Sequence, residues 1–167
     1  AGPGKVLLVV LLLLLFAELP GTWLFDQDET RYAEIGREML VSGDWVTPRL
    51  NGARYYEKPP VTFWVNGASL GLFGNNPYAA RLPVRLAALG TAVLLLALGG
   101  RMGPPGTGTW AAALLLASPL AFAMARLDLT DGLLSFFLAA AFLSLREFLA
   151  AKAWTPRSTT WLAAAGL

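Results

Sequence analysis

The chain has 167 residues, of which 56% are hydrophobic and 14% charged, and its mean hydropathy is +0.54. A soluble domain carries about 25% charged residues, so this composition favours an integral membrane protein. The net charge of +2 gives no support to a nucleic-acid partner. Because the chain has no Cys or His, it excludes thiolate zinc sites, a Ser-His-Asp triad and histidine metal clusters within these residues.

The first predicted element is an apolar stretch over residues 6–25, preceded by Lys5. It has about the 20 residues that a membrane-crossing helix needs. A cleaved signal peptide is the alternative, but Glu18 and Pro20 stand where small residues would precede cleavage. We therefore predict a first transmembrane helix over 6–25.

A polar loop over residues 26–77 comes next. Residues 25–60 hold seven of the eleven acidic and five of the thirteen basic side chains. Apolar residues at helical spacing over 30–41 predict an amphipathic helix in the membrane interface, and Asp26 with Glu29 resembles a capping box at its start. The apolar face comprises Tyr32, Ile35, Gly36, Met39 and Leu40.

The second half of the polar loop is predicted to contain a turn and another short helix. Residues 45–52 indicate extended chain followed by a turn, since they include Pro48 and an Asn-Gly pair. A helix is predicted over 61–72, because prolines at 59 and 60 suit its start and Gly74 follows its end. Lys58 would then stand at a helix N-terminus, where amides and the helix dipole favour an anion.

Four further membrane segments are predicted. They lie at about 78–100, 108–125 and 131–150, with the start of another at 159–167. If every segment crosses the membrane, the polar loop and the turn 126–131 emerge on one side. The other side carries mainly basic residues and is therefore predicted to be cytoplasmic. Those residues are Lys5, Arg101, Arg146, Lys152 and Arg157.

The order of motifs in the polar loop carries a family resemblance. The motifs are Asp28-Glu29-Thr30-Arg31-Tyr32-Ala33-Glu34-Ile35, Gly43-Asp44-Trp45, Pro48-Arg49-Leu50-Asn51-Gly52 and Tyr56-Glu57-Lys58-Pro59-Pro60. Together they resemble the first periplasmic loop of aminoarabinose transferase-like (ArnT-like) glycosyltransferases, bacterial relatives of the dolichyl-phosphate-mannose protein mannosyltransferases. The resemblance continues through the next three spans. It identifies residues 1–167 as the N-terminal part of one transmembrane glycosyltransferase domain.

The resemblance implies a fold, a location and a reaction. The fold would be an all-α integral membrane bundle of GT-C type, with interfacial juxtamembrane helices in the first periplasmic loop. The protein would cross the bacterial inner membrane several times and would contact membrane lipids. It would move a sugar from a polyprenyl-phosphate carrier to a lipid A phosphate or a protein hydroxyl. No nucleic acid is expected as a partner.

The resemblance also implies roles for particular residues. Asp28 matches the essential loop aspartate, and Lys58 and Asp131 complete the predicted catalytic set. Glu57 matches a metal ligand for zinc or magnesium, with the remaining ligands outside this chain, so we expect the 167 residues alone to be inactive. Binding of the substrate and its phosphate would involve Arg31, Tyr32, Tyr55 and Lys58.

Structural alternatives remain open for these residues. Asp28 lies near a helix start, where an acid is favourable without catalysis, and Glu57 and Lys58 are compatible with a solvated charge pair. Asp128 and Asp131 have the spacing of a helix cap and its third residue. Aromatic residues of the loop fit an interfacial belt before they fit a sugar platform; they are Trp23, Trp45, Tyr55 and Tyr56.

Two other functional classes are also considered. A transporter subunit predicts charged or broken positions in mid-span, whereas the predicted spans are unbroken in sequence. A non-catalytic lipid-binding membrane module does not require acidic and basic residues to face each other across two loops. Both remain alternatives to the glycosyltransferase.

Overall fold

The computed structural model describes residues 2–17, 23–150 and 160. The described part is almost entirely helical and contains a single two-stranded hairpin. The elements in order are α1 (Pro3–Phe16), α2 (Gln27–Ser42), β1 (Arg49–Leu50), β2 (Ala53–Arg54), α3 (Val61–Phe73), α4 (Pro77–Gly99), α5 (Thr107–Ala117), α6 (Pro119–Met124) and α7 (Thr130–Ala150).

Two of the described helices, α4 and α7, are long and apolar enough to cross a membrane. They correspond to the spans predicted at 78–100 and 131–150. Helices α1, α3 and α5 are apolar but shorter. Much of the apolar surface of α7 faces outward, which suits contact with lipid or with further helices.

Small residues bring the helices of the bundle close together. Helix α4 packs against α5 and α7, and α1 packs against α5. A Cβ added to Gly99 of α4 would lie only 2.4 Å from the Cα of Gly108 in α5. Small side chains at such contacts allow helix backbones to approach and gain van der Waals contact. The buried cluster at this interface comprises Leu8, Leu15, Ala92, Ala112, Ala113, Leu116 and Ala125.

A serine compensates for a proline inside α4. Pro83 has no amide hydrogen to donate to the carbonyl of Ala79, four residues earlier. The Ser69 hydroxyl of α3 donates a 2.6 Å hydrogen bond to that carbonyl oxygen. The contact therefore satisfies the carbonyl and ties α3 to α4.

The third predicted span, 108–125, is interrupted and is not one continuous helix. Helix α5 ends at Ala117, Ser118 is extended with ψ of 121°, and α6 begins at Pro119. A residue before proline is sterically disfavoured from helical geometry, which explains the break. The prediction that the spans are unbroken is therefore wrong for 108–125. Continuity of the spans is thus no argument against a transporter.

The first predicted span, 6–25, also differs from the structure. Helix α1 ends at Phe16, and residues 23–25 are not helical. Residues 18–22 lie outside the described part, as does the predicted start at 159–167 except for Thr160.

The polar loop folds as two packed helices with a hairpin between them. Helices α2 and α3 form the most extensive helix pair of the described residues. The hairpin turns at Asn51 and Gly52, whose φ values of 53° and 79° suit an Asn-Gly turn. Both carboxylate oxygens of Glu38 accept hydrogen bonds from the amides of these two turn residues, at 2.5 and 3.2 Å. The hairpin is thus anchored to α2.

The closest approach of α2 and α3 gives a testable prediction. A Cβ at Gly36 would lie 2.8 Å from the amide nitrogen of Gly67 and 2.9 Å from the Cβ of Asn66. We expect Gly36→Ala to lower the free energy of unfolding by about 1–3 kcal/mol, because the two backbones must separate. Gly100→Ala is the control, since Gly100 has helical φ and open space around it. Equal unfolding curves for the two variants would contradict the close packing.

Candidate functional site

Two adjacent acids at the start of α2, Asp28 and Glu29, lie in different environments. Asp26 caps the helix by accepting a 2.8 Å hydrogen bond from the Asp28 amide. Glu29 does not complete the predicted capping box with Asp26, because its carboxylate accepts from the amide of Phe25 at 3.0 Å. Glu29 is fully buried, whereas the side chain of Asp28 is 45% exposed. Of these two neighbours, Asp28 is therefore the one open to a substrate.

A chain of polar contacts joins Asp28 to the second half of the polar loop. The Arg31 guanidinium lies 2.7 Å from the Asp28 carboxylate and close enough to the Tyr55 hydroxyl to interact with it. These groups raise the pKa of Arg31, and Tyr55 is the largest influence. The Tyr55 hydroxyl in turn donates a 3.1 Å hydrogen bond to Glu57. The predicted residues thus form two polar pairs, Asp28 with Arg31 and Tyr55 with Glu57, and Tyr55 also influences Arg31.

Buried aromatic rings hold this network in place. The Phe63 ring of α3 contacts the rings of Tyr32 and Tyr55, with centroid separations of 5.9 and 5.8 Å. Tyr55 is only 8% exposed, so its predicted first role in an interfacial aromatic belt is wrong. Trp23 and Tyr56 are exposed, as belt residues would be.

The start of α7 approaches the same face of α2. Burial is the largest influence on the pKa of the Tyr32 hydroxyl, and it raises that pKa. Thr130 and Arg31 lower the pKa, whereas the charges of Asp28 and Asp131 raise it. Asp131 is exposed in the first turn of α7. The charges of both Asp28 and Asp131 therefore act on Tyr32, although Asp131 and Tyr32 are about a hundred residues apart in sequence.

Four buried polar residues join the two loops beneath these groups. The Arg81 guanidinium of α4 binds both carboxylate oxygens of Glu29, at 2.6 and 2.9 Å. The Asp128 amide donates to Glu29 at 3.1 Å, and the Asn66 side-chain amide donates to the Asp128 carboxyl at 2.6 Å. The polar loop and the turn 126–131 therefore meet at one end of the bundle.

An exposed ion pair of 2.9 Å between Arg101 and Glu147 lies between α7 and the turn after α4.

Sequence reasoning did not find this buried network. Glu29 was expected to cap α2, and Asp128 was given only the spacing of a helix cap. A signal was nevertheless available, because polar residues such as Asn66 and Arg81 are costly within apolar helices unless they have partners.

Lys58 stands apart from the polar network. It is exposed, and among the described residues it forms no hydrogen bond or ion pair. It lies just before α3, which begins at Val61 and has Pro60 as its N-cap. The sequence-based placement of Lys58 at a helix N-terminus agrees with these bounds. A phosphate there would meet the lysine charge and unpaired helix amides.

Glu57 offers one carboxylate to a metal ion. Its Oε2 atom accepts from Tyr55, and the residue is exposed. Within the described ranges, no group of three or more His, Cys, Asp or Glu side chains is arranged to hold a metal. These residues therefore do not form a complete metal centre, although Glu57 is suited to be one ligand of a larger set.

A cavity of about 310 Å³ lies where α4, α5, α6 and α7 meet. Its lining is mainly apolar, and the extended Ser118 at the α5–α6 break is part of it. Non-helical backbone at membrane depth is tolerated where it lines a cavity or is buried in protein. Asp131 also lines this cavity, whereas Asp28 and Lys58 do not.

Comparisons with known proteins relate the chain to enzymes that use phosphate-linked sugars. A profile described as dolichyl-phosphate-mannose-protein mannosyltransferase matches residues 6–167. The undecaprenyl phosphate-alpha-4-amino-4-deoxy-L-arabinose arabinosyl transferase of Serratia proteamaculans is 39% identical over 158 residues, which is 93% of this chain and 28% of that protein. The enzyme of the same name from Edwardsiella ictaluri is 46% identical over 96 residues, covering 58% of this chain and 17% of that protein.

Solved structures agree with these relatives. The crystal structure of ArnT from Cupriavidus metallidurans bound to undecaprenyl phosphate has a TM-score of 0.84 and 33% identity, covering 99% of this chain and 31% of that protein. The apo structure of the same protein has a TM-score of 0.83 and 32% identity. The helices therefore have the all-α arrangement of this membrane-protein fold. The chain spans less than a third of the length of these relatives.

Proposed function

The chain belongs to the dolichyl-phosphate-mannose-protein mannosyltransferase family, as an ArnT-like GT-C member, and on that premise we propose that its full-length protein is a glycosyltransferase. The donor is a polyprenyl-phosphate-linked sugar, and 4-amino-4-deoxy-L-arabinose on undecaprenyl phosphate is the first candidate because the relatives carry that name. The acceptor is a lipid A phosphate. The second candidate is transfer of mannose to a protein hydroxyl, which the family profile favours.

One observation carries this proposal. The half-exposed Asp28 and its partner Arg31 lie in α2, where the neighbouring Glu29 accepts a hydrogen bond from Asp128 in the turn that leads to Asp131. A reaction at a phosphate-linked sugar needs cations near the departing phosphate and a group that positions the acceptor oxygen. Arg31 and Lys58 supply the positive charge, and Asp28 and Asp131 are the acids available to the acceptor.

In the proposed reaction, the acceptor oxygen forms a bond to the anomeric carbon of the sugar. The bond from that carbon to the phosphate oxygen breaks, so polyprenyl phosphate leaves with the bonding electron pair. A hydroxyl acceptor gives its proton to Asp28 as general base. An ionised phosphate acceptor needs no base, and Asp28 then orients the Arg31 cation. A single displacement of this kind inverts the anomeric centre.

The proposal includes a divalent metal ion, zinc or magnesium, and Glu57 is the described residue that would bind it. This carboxylate would supply one ligand, and the other ligands must come from outside the described residues. When bound, the ion would add positive charge near the phosphate.

The proposed location is the bacterial inner membrane, with several spans and the polar loop on the periplasmic side. The positive-inside distribution supports this orientation, since Lys5 and Arg101 belong to the end of the bundle opposite the polar loop. Cysteine labelling of single-Cys variants tests it, and a turn 126–131 labelled only from the cytoplasm would contradict it.

The direct test is transfer of a labelled sugar by the full-length protein in detergent or liposomes. Undecaprenyl-phosphate-linked aminoarabinose is offered with lipid A and, side by side, with a peptide that contains serine and threonine. We expect label on lipid A. Label on the peptide alone would select the second candidate, and a folded protein that labels neither would contradict the proposed function.

Lys58→Ala gives a prediction about donor binding. Loss of a charged contact to the phosphate is expected to raise KM for the donor by about 10-fold or more, since such contacts contribute about 1.5–3 kcal/mol. Lys5→Ala is the matched control, because Lys5 is an exposed lysine at the other end of the bundle. Donor kinetics that are identical for the two variants would remove Lys58 from the phosphate site.

A further inference from the structure

A fully buried polar contact between the two loops is made by Asn66 and Asp128. Both residues have 0% exposure, and the Asn66 amide nitrogen lies 2.6 Å from the Asp128 Oδ2 atom. Asn66 belongs to α3, the helix that follows Glu57 and Lys58. Asp128 lies three residues before Asp131. The contact therefore connects the two segments on which the proposed site depends.

Each of these residues has one oxygen without a hydrogen-bond partner. The atoms are Asn66 Oδ1 and Asp128 Oδ1, and both are buried. An amide oxygen only accepts hydrogen bonds, and so does an ionised carboxylate, so an ionised Asp128 leaves both oxygens unsatisfied. Buried polar atoms without partners are costly and uncommon in native proteins. A proton on Asp128 Oδ1, donated to Asn66 Oδ1, would satisfy both atoms at once.

The charges around Asp128 favour the un-ionised form. Burial raises the pKa of Asp128 well above its usual range, and the nearby Glu29 carboxylate acts in the same direction. The hydrogen bond from Asn66 and the charge of Arg81 lower that pKa, but they are the smaller influences. Glu29 already balances the charge of Arg81 through its two hydrogen bonds. A second carboxylate charge at this place would add to that of Glu29.

We propose that Asp128 is an un-ionised carboxylic acid that forms a ring of two hydrogen bonds with Asn66 and so positions Asp131. In this ring the Asn66 amide donates to Oδ2, and the carboxylic O–H donates to the Asn66 oxygen. The ring sets the distance between α3 and the start of α7. The positioning role rests on the proposed function, whereas the protonation state does not.

Infrared spectroscopy tests the protonation state without an activity assay. The full-length protein at neutral pH is compared with Asp128→Asn, and the difference spectrum is examined for the carbonyl stretch of a protonated carboxyl group. We expect a band that Asp128→Asn removes. If the difference spectrum shows only the loss of carboxylate bands, Asp128 is ionised and the proposal fails.

Thermal unfolding against pH is the second test. A group whose pKa is higher in the folded than in the unfolded protein binds its proton more strongly in the fold. The stability from Asp128 is therefore fully present below its unfolded pKa of about 3.9 and is lost as pH rises through its raised folded pKa. We expect the melting temperature of wild type to fall relative to Asp128→Asn over this range. Parallel melting curves would contradict a proton held by Asp128.

Sugar transfer by matched variants tests the positioning role. An asparagine side chain in place of Asp128 can both donate to and accept from Asn66, so Asp128→Asn is expected to retain kcat within about 3-fold. Asp128→Leu and Asn66→Leu are expected to lose about 10-fold or more through misplacement of Asp131. We expect KM for the donor to change little in all three variants.

The outcomes of these assays are distinguishable. If Asp128→Asn is as impaired as Asp128→Leu, the carboxyl group has another role and the positioning proposal fails. If wild type transfers no sugar, the proposed function fails, and the spectroscopic and thermal tests still decide the protonation state.

Discussion

Asp28→Asn is expected to reduce sugar transfer by at least about 100-fold, the contribution of a well-placed general base. The substitution keeps the size of the side chain but removes its charge, which lies 2.7 Å from the Arg31 guanidinium. With a hydroxyl acceptor the base is lost. With a phosphate acceptor, Arg31 loses the partner that orients it. Either way the reacting groups are misplaced or incompletely activated.

The matched control for this prediction lies about one and two-thirds turns along the same helix. Glu34 and Arg37 form an ion pair with the same three-residue spacing and the same 2.7 Å separation. Within the described part of the chain, neither residue forms a hydrogen bond or ion pair with the turn 126–131. Glu34→Gln is expected to retain transfer, and both variants should unfold like wild type, because both acids are partly exposed. Transfer by Asp28→Asn at the level of Glu34→Gln would remove Asp28 from the mechanism.

Arg81→Leu is expected to lower the free energy of unfolding by about 3–5 kcal/mol, because it leaves the Glu29 carboxylate buried without its cation. The side chains of this pair are only 5% and 0% exposed. Arg37→Leu is the control, since it removes an exposed arginine from a helical ion pair that contributes about 0–1 kcal/mol. Denaturant unfolding of the two variants in the same detergent measures the difference.

The double variant Glu29→Met with Arg81→Leu separates the charge from the hydrogen bonds. Removing both charges is expected to recover part of the lost stability. Recovery should stay incomplete, because the amides of Phe25 and Asp128 lose their acceptor. An Arg81→Leu protein that unfolds within about 1 kcal/mol of wild type would contradict the importance of the buried pair.

Much of the helical pattern could be predicted because its signals are local. The apolar spacing over 30–41 predicted α2, and the prolines before Val61 predicted the start of α3. The Asn51-Gly52 pair predicted the turn, because both residues tolerate positive φ. The ends of α1 and the break at Ser118 were not predicted. The long apolar runs indicated complete spans, despite the single proline at 119.

The sequence by itself determined the membrane class, the order of the helices, and the amphipathic face of α2. These depend on composition and on residues within one helical turn of each other, so they can be read along the chain. Only the tertiary structure decided that Glu29 is buried against Arg81 and that Asn66 meets Asp128. These partners are 52 and 62 residues apart. Their pairing depends on how the helices pack, because a buried charge or amide must find whichever partner the fold brings beside it.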